Sequence, residues 1–379
     1  MAEEFALDCQ RHRFAIPRDI AYLNCAYMSP LSHDVVAAMH TGAQSKATPW
    51  TYRSADFFTV ADAARTAYAR VFGAAADDIA IVPSASYGLA IAAANVAVAA
   101  GQDIVLLGDQ FPSNVYIWRE KAKACGARIV HTARDADSDW TAGVLDAIGP
   151  QTAVVAVPQC HWADGGLVDL VAVGAACRKV GAALVLDLTQ SLGALPFDVA
   201  AVDPDFGVVA GYKWLMCPYG TGALYVARRH QNGTSIEQPW MGRRGADDFA
   251  RLVEYQDDYA VGARRFDMGG KSNPALLLGV VAALAMIQTW GIARIAATLA
   301  VRNASLADRA AKLGYAALPA AARAGHFLAL ALPGNADANA LPARLAEAGV
   351  YVSVRGQSLR VTQHLYNDDV DCDRLIAAL

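Results

Sequence analysis

Leu184-Val185-Leu186-Asp187-Leu188-Thr189-Gln190 and Val208-Val209-Ala210-Gly211-Tyr212-Lys213 are two short apolar runs, each ending on polar groups. Runs of this length and composition read as strands buried on both faces. The first delivers a carboxylate at its end and the second an amine. In an open parallel sheet, the carboxyl ends of the strands border the ligand crevice.

Working outward, the same rhythm repeats. Strands are expected at 79–82, 103–107, 127–131, 153–157, 183–186, 206–210 and 222–226, with helices at 116–125, 141–148 and 170–180 between them. This alternation predicts an α/β fold with a largely parallel, helix-covered sheet. Upstream, Tyr22-Leu23-Asn24 is a short strand, and helical spacing covers 33–40 and 56–72, the latter stopped by Gly73. Ser84-Ala85-Ser86-Tyr87-Gly88 opens an Ala-rich helix expected to end near Gly101. Residues 229–272 are polar and show no sheet rhythm. Helices are expected at 275–288 and 292–312. Strands at 326–332, 350–354 and 359–362, with helices at 341–348 and 369–379, then read as a compact α+β unit. The expected division is an arm at 1–20, a large domain at 21–270 and a small domain at 271–379.

A chain of 379 residues, 55% hydrophobic, can bury the cores of two domains. The net charge of −4 offers no basic patch for nucleic acid. Met1-Ala2-Glu3-Glu4-Phe5 lacks the apolar centre of a signal peptide, and no uncharged apolar window reaches membrane length. Seven scattered cysteines without a CxxC pair read as reduced thiols, which predicts a cytoplasmic protein. The eight histidines do not combine with Cys, Asp or Glu at metal-ligand spacing.

A lysine at the end of a buried strand is costly when charged, so its pKa falls and its neutral amine becomes a nucleophile able to form a Schiff base. A carboxylate beside it can keep a pyridine nitrogen protonated. Lys213 and Asp187 together therefore point to pyridoxal phosphate, although a surface lysine and a helix-capping aspartate are the plainer readings of each alone. Gly211 and Gly220-Thr221-Gly222 around the lysine indicate backbone held tightly about a ligand. Ser84, Ala85 and Ser86 open a helix whose positive end can hold a phosphate, or simply cap it. Phe111, just past a strand end, can stack on a flat ring or belong to the core. Trp162 can line the pocket and His161 can act as a base, or both can be structural. Gln190 reaches a ring oxygen or closes a turn. Arg360, inside the apolar strand Leu359-Arg360-Val361-Thr362, suits a substrate carboxylate, and Arg355 is the alternative.

With these residues in view, the chain resembles the class V aminotransferase family of fold-type I pyridoxal-phosphate enzymes, which includes cysteine desulfurases, kynureninases and isopenicillin-N-epimerase-like proteins. Asp187-Leu188-Thr189-Gln190 is like the family's Asp-x-x-Gln, and Tyr212-Lys213 is like its aromatic-Lys pair. The resemblance implies a large domain with a mainly parallel seven-stranded sheet and a smaller C-terminal α+β domain. By the same resemblance, Lys213 holds the cofactor, Asp187 meets the pyridine nitrogen and Gln190 approaches the ring's 3′-oxygen. Ala85, Ser86 and Tyr212 bind phosphate, Phe111 stacks on the ring, Trp162 lines it, and Arg360 grips the amino-acid carboxylate near the loop at Ala26. Arg265-Phe266-Asp267-Met268-Gly269-Gly270 is similar to the segment through which a second subunit completes the phosphate site, so a homodimer is implied.

Four departures bear on the reaction. Residues 352–358 contain no cysteine, where desulfurases carry a nucleophilic one. Trp162 replaces an asparagine. Gly270 replaces a threonine, leaving its contact to backbone, Lys271 or Ser272. Gly211 replaces a serine. The expectation is an aminotransferase, with a lyase of selenocysteine-lyase or kynureninase type, or an epimerase, as alternatives. A nucleotide-binding dehydrogenase would need a G-x-G-x-x-G turn, and none follows a strand. A non-catalytic descendant would have lost Lys213 or Asp187.

Overall fold

The computed structural model describes residues 6–134, 139–334 and 336–379, so the first five residues of the expected arm lie outside it. The chain opens with β1 (Ala21–Tyr22), α1 (His33–Ala47) and α2 (Asp56–Phe72). The alternating stretch follows as β2 (Ile79–Val82), α3 (Ala85–Asn95), β3 (Asp103–Leu107), α4 (Ser113–Cys125), β4 (Arg128–Thr132) and α5 (Trp140–Ala147). It continues through β5 (Thr152–Pro158), α6 (Leu170–Val180), β6 (Ala183–Asp187), the single turn α7 (Val199–Val202), β7 (Phe206–Ala210) and β8 (Gly222–Val226). A polar stretch of short 3-10 turns leads to α8 (Pro274–Trp290) and α9 (Ile292–Ala311). The C-terminal part comprises β9 (Ala316–Ala317), β10 (Leu328–Ala331), α10 (Leu341–Glu347), β11 (Val350–Tyr351), β12 (Ser353–Arg355), β13 (Ser358–Val361) and α11 (Asp369–Ala378).

Seven strands form one sheet in the order β2-β8-β7-β6-β5-β3-β4. Only β8 runs antiparallel to its neighbours. Alternate residues of the strands feed two cores, with Val155, Leu184, Leu186 and Val209 on one face and Val154, Val185, Val208 and Ala210 on the other. That double burial is why the strands read as continuous apolar runs. The parallel register sets Pro158 beside Asp187 and Asp187 beside Val208, so β5, β6 and β7 end at one level.

The second sheet has the order β12-β13-β10-β9, all antiparallel. Helix α8 begins after the boundary expected at 270, yet its Leu277, Val280, Ala283 and Leu284 complete the core on one face of the seven-stranded sheet. The N-terminal segment is packed rather than free. Gln10 N–H donates to Leu365 O at 2.7 Å, Arg11 pairs with Asp371 at 2.8 Å, and β1 pairs in parallel with β11.

Two expectations need correction. Helix α3 stops at Asn95 rather than near Gly101, because the Asn95 amide turns aside to bond Thr234 N and O. The strand expected at 350–354 splits at Val352, with β11 joining β1 and β12 joining β13. No single helix among the described residues is long and apolar enough to cross a membrane, and α8 with α9 meets that length only as a pair bent by 71°.

Candidate active site

The strand ends of the large sheet enclose a cavity of about 210 Å³, lined by Ala85, Ser86, Phe111, Trp162, Asp187, Gln190, Tyr212 and Lys213. Ala26, Arg355 and Arg360 line its outer part, with Phe111, Trp162 and Lys213 again contributing. Every expected site residue except Gly270 and His161 therefore meets in one place.

Lys213 sits on the connection between β7 and β8. Bonds from Gly211 N to Thr221 O (2.8 Å) and from Cys217 N to Gly211 O (3.0 Å) close this connection on itself. A Cβ at Gly211 would stand 2.8 Å from Cys217 Cβ and 2.9 Å from Tyr68 Oη, so glycine here answers to space. Lys213 is 5% exposed, and its Nζ lies 5.2 Å from the centre of the Phe111 ring. Burial lowers its pKa to about 8; Asp187 opposes that shift, while Arg360 and Arg355 reinforce it.

Asp187 ends β6 and is 7% exposed. Its Oδ1 accepts from Thr189 N–H at 3.0 Å, and Thr189 Oγ1 accepts from Ala210 N–H at 3.1 Å, tying the β6 turn to β7. Burial pushes the Asp187 carboxyl up, with Thr189 and Lys213 pulling the other way. No cation lies within ion-pair distance of it among the described residues. A buried carboxylate without a cation is costly unless something facing the cavity compensates it.

The opposite end is built from two helix starts. Ser84 caps α3 by accepting from Tyr87 N–H at 3.2 Å, and Ser86 Oγ donates to Ser113 Oγ of α4 at 2.9 Å. Free backbone N–H groups and positive dipole ends favour an anion there. Gln110 uses Oε1 to accept from Phe111 N–H at 2.9 Å, and its buried Nε2 has no partner. A phosphate end, a flat-ring slot under Phe111, an uncompensated carboxylate and a neutral-prone amine fit pyridoxal phosphate.

Gln190 donates from Nε2 to Ala26 O at 3.2 Å and accepts at Oε1 from Trp214 Nε1 at 3.0 Å. His326, held near a pKa of about 4 by burial, lies 2.7 Å from Gln190 O through Nε2. His161 does not line the cavity. Its Nε2 lies 3.2 Å from Gly108 O, its Nδ1 lies 3.1 Å from Asp164, and its ring packs on Trp140, so its role is structural. Trp162 faces the cavity edge-on to Phe111 and donates to Asp109 O at 2.6 Å. Arg360, 2% exposed, donates to Trp162 O at 2.8 Å. Burial, then Arg355, lower its pKa to about 9.

Gly270 stands outside this cavity, at a φ of +65°. Lys271 and Ser272 are committed elsewhere. Lys271 forms a buried pair with Asp267, which also binds Arg65, and Ser272 donates to Phe57 O. Sequence reasoning missed Thr189, Gln110, Ser113 and Trp214. Only Ser113 carried a signal, as a hydroxyl residue opening a helix after a strand.

Residues 21–367 match the family model for class V aminotransferases. The uncharacterized aminotransferase YcbU of Bacillus subtilis is 26% identical, over 80% of this chain and 79% of its own length. A kynureninase of Deinococcus radiodurans is 30% identical, over 69% of this chain and 64% of its own. Among solved structures, a mutant of C-DES with glycine covalently linked to its PLP cofactor superposes with a TM-score of 0.87 at 21% identity, covering 97% of this chain and 98% of that one.

Proposed function

The chain belongs to the class V aminotransferase family, and from that premise we propose that it transfers the amino group of an amino acid. It is a pyridoxal-phosphate enzyme acting on an amino acid. In our reading Lys213 holds the cofactor covalently, Asp187 faces its ring nitrogen, and Phe111 covers its ring. Ala85, Ser86 and Tyr212 face its phosphate. When bound, the cofactor supplies an electron sink for charge developing at the substrate's α-carbon. Arg360 binds and orients the α-carboxylate, which fixes the α-carbon before Lys213. The neutral Nζ of Lys213 takes the α-proton.

One observation carries the choice of reaction. Burial brings the Lys213 amine to about 8 and the Arg360 guanidinium only to about 9, whereas it raises Cys160, Tyr212 and Asp187. A single amine can remove and redeliver one proton, which amino-group transfer requires, whereas inversion needs a second base on the opposite face. The β12–β13 hairpin also speaks against persulfide chemistry. Arg355 pairs with Ser358 across a turn of Gly356 and Gln357, too short to bring a cysteine inward.

The test is a screen of amino acids against the holoenzyme without acceptor, with products separated. We expect keto acid in an amount equal to the enzyme, and turnover once a second keto acid is supplied. A leaving group released together with alanine or with ammonia, or an inverted amino acid, overturns the reading in favour of a lyase or an epimerase.

The same reading includes a cytoplasmic homodimer with shared sites. Gly270 outside its own cavity supports it, as do Tyr27, Met28 and Tyr219, which are 54%, 41% and 67% exposed around the mouth. The seven cysteines, all unpaired, suit a reducing compartment. Sedimentation of the holoenzyme tests the dimer.

A further inference from the structure

Two guanidinium groups converge on one indole at the cavity mouth. Arg360 Cζ lies 5.7 Å from the centre of the Trp162 ring, and Arg355 Cζ lies 5.9 Å from it. The hairpin register explains the convergence. Ser353 pairs with Arg360 and Arg355 with Ser358, so the two arginines are diagonal neighbours on one face of the β12–β13 pair.

Neither cation is neutralised. The residues lining this space include no aspartate or glutamate, and neither guanidinium has an ion-pair partner among the described residues. Each has a hydrogen bond to a main-chain carbonyl, Arg360 to Trp162 O at 2.8 Å and Arg355 to Val354 O at 2.7 Å. A guanidinium has five N–H donors, so most remain free on both. One α-carboxylate fills one planar fork. The other guanidinium is then a like charge beside the first and beside Lys213, a costly arrangement at reduced dielectric unless a second anion joins it. Arg360 is buried and Arg355 only half-buried, toward the outside. The inner group thus suits the part common to every amino acid, and the outer group suits the variable side chain.

We propose that Arg355 binds a second carboxylate on the substrate, so that the enzyme's amino acid is a dicarboxylic one. This rests on the amino-acid reading above. Arg360 takes the α-carboxylate, Arg355 the side-chain carboxylate, and Trp162 spaces the two forks.

The test titrates holoenzyme with L-glutamate against L-glutamine and L-aspartate against L-asparagine, reading binding from the visible spectrum. In at least one pair the acid should bind at least tenfold more tightly than its amide, and in R355Q that ratio should fall toward one. The wild-type comparison needs no variant, so misfolding of R355Q cannot hide the answer. Amides that bind as tightly as both acids overturn the proposal. So does an R355Q that weakens acid and amide by one factor, which is two arginines sharing one carboxylate. Protein that gains no colour with pyridoxal phosphate overturns the amino-acid reading itself, and this proposal with it.

Discussion

Arg360 donates a hydrogen bond to the main-chain oxygen of Trp162 at 2.8 Å, joining β13 of the small sheet to the loop that follows β5 of the large one. Its Nε is buried without a partner, and burial is the largest force lowering its pKa to about 9. A cation kept under such conditions gains from any carboxylate placed before it. Arg360→Gln should weaken amino-acid binding roughly 10- to 100-fold, the worth of a charged hydrogen bond. The cofactor spectrum should persist. Unchanged amino-acid affinity would move the carboxylate role away from Arg360.

Lys213→Ala should give a colourless protein. Borohydride reduction of the wild type should fix cofactor mass on the peptide that contains Lys213, with no increment in the variant. Activity should fall by about 10²- to 10⁴-fold or more. Covalent cofactor retained by the variant would sink the assignment.

Burial lowers the free Lys213 amine to about 8. Only the neutral amine attacks an aldehyde, so the rate at which apoenzyme regains its colour should rise with pH through a midpoint near 8. An ordinary lysine would place that midpoint near about 10.4. Arg360 contributes to the depression, so R360Q should move the midpoint upward. Stopped-flow absorbance across pH measures both.

Asp187 has a folded pKa raised by burial. The unfolded chain then loses this proton first as pH rises, so the folded apoprotein loses stability above the ordinary carboxylate pKa of about 3.9. Apo Asp187→Asn should therefore melt higher than apo wild type at neutral pH, and the gap should close in acid. The holoenzyme should show the reverse for activity. Calorimetry of both apoproteins decides this, and equal melting at neutral pH would count against it.

Asp267 is 1% exposed and binds both Arg65, at 2.7 Å, and Lys271, at 2.5 Å. It also accepts from Ile81 N–H at 2.8 Å. Asp267→Ala leaves buried Lys271 without its ion-pair partner and Arg65 with only Asp62, and should cost about 3–5 kcal/mol of stability by denaturant melts. A loss under 1 kcal/mol, the scale of about one exposed pair, would show the cluster to be dispensable.

The strands were legible because burial on both faces leaves few polar positions in them, and the polar groups at their ends mark the ligand side. Asp187, Lys213 and Arg360 stand out for that reason. Features fixed by distant partners were not legible. The end of α3 depends on Asn95 meeting Thr234 across the fold, and the split at Val352 depends on β1 claiming β11. The place of α8 depends on which core its apolar face meets. Gln110 and Trp214 are ordinary in sequence, and their roles arise from geometry around the cavity. Gly211 shows the opposite case: a departure from the family pattern that Tyr68 and Cys217 explain by filling the space.

The N-terminal segment is tied to the far end of the chain by β1 with β11, Gln10 with Leu365 and Arg11 with Asp371. The carbonyl of Ala26, on the same segment, accepts from Gln190 inside the site. Ala26 N–H also donates to Thr362 Oγ1, 336 positions further along the chain, so this wall of the site closes a very long loop. The entropy of closing a long loop is lost before its contacts form, which makes such pairings slow. The locally connected strands of the large sheet can pair before the wall at Ala26 is set. Recovery of substrate binding should therefore lag recovery of the large sheet when denatured enzyme refolds.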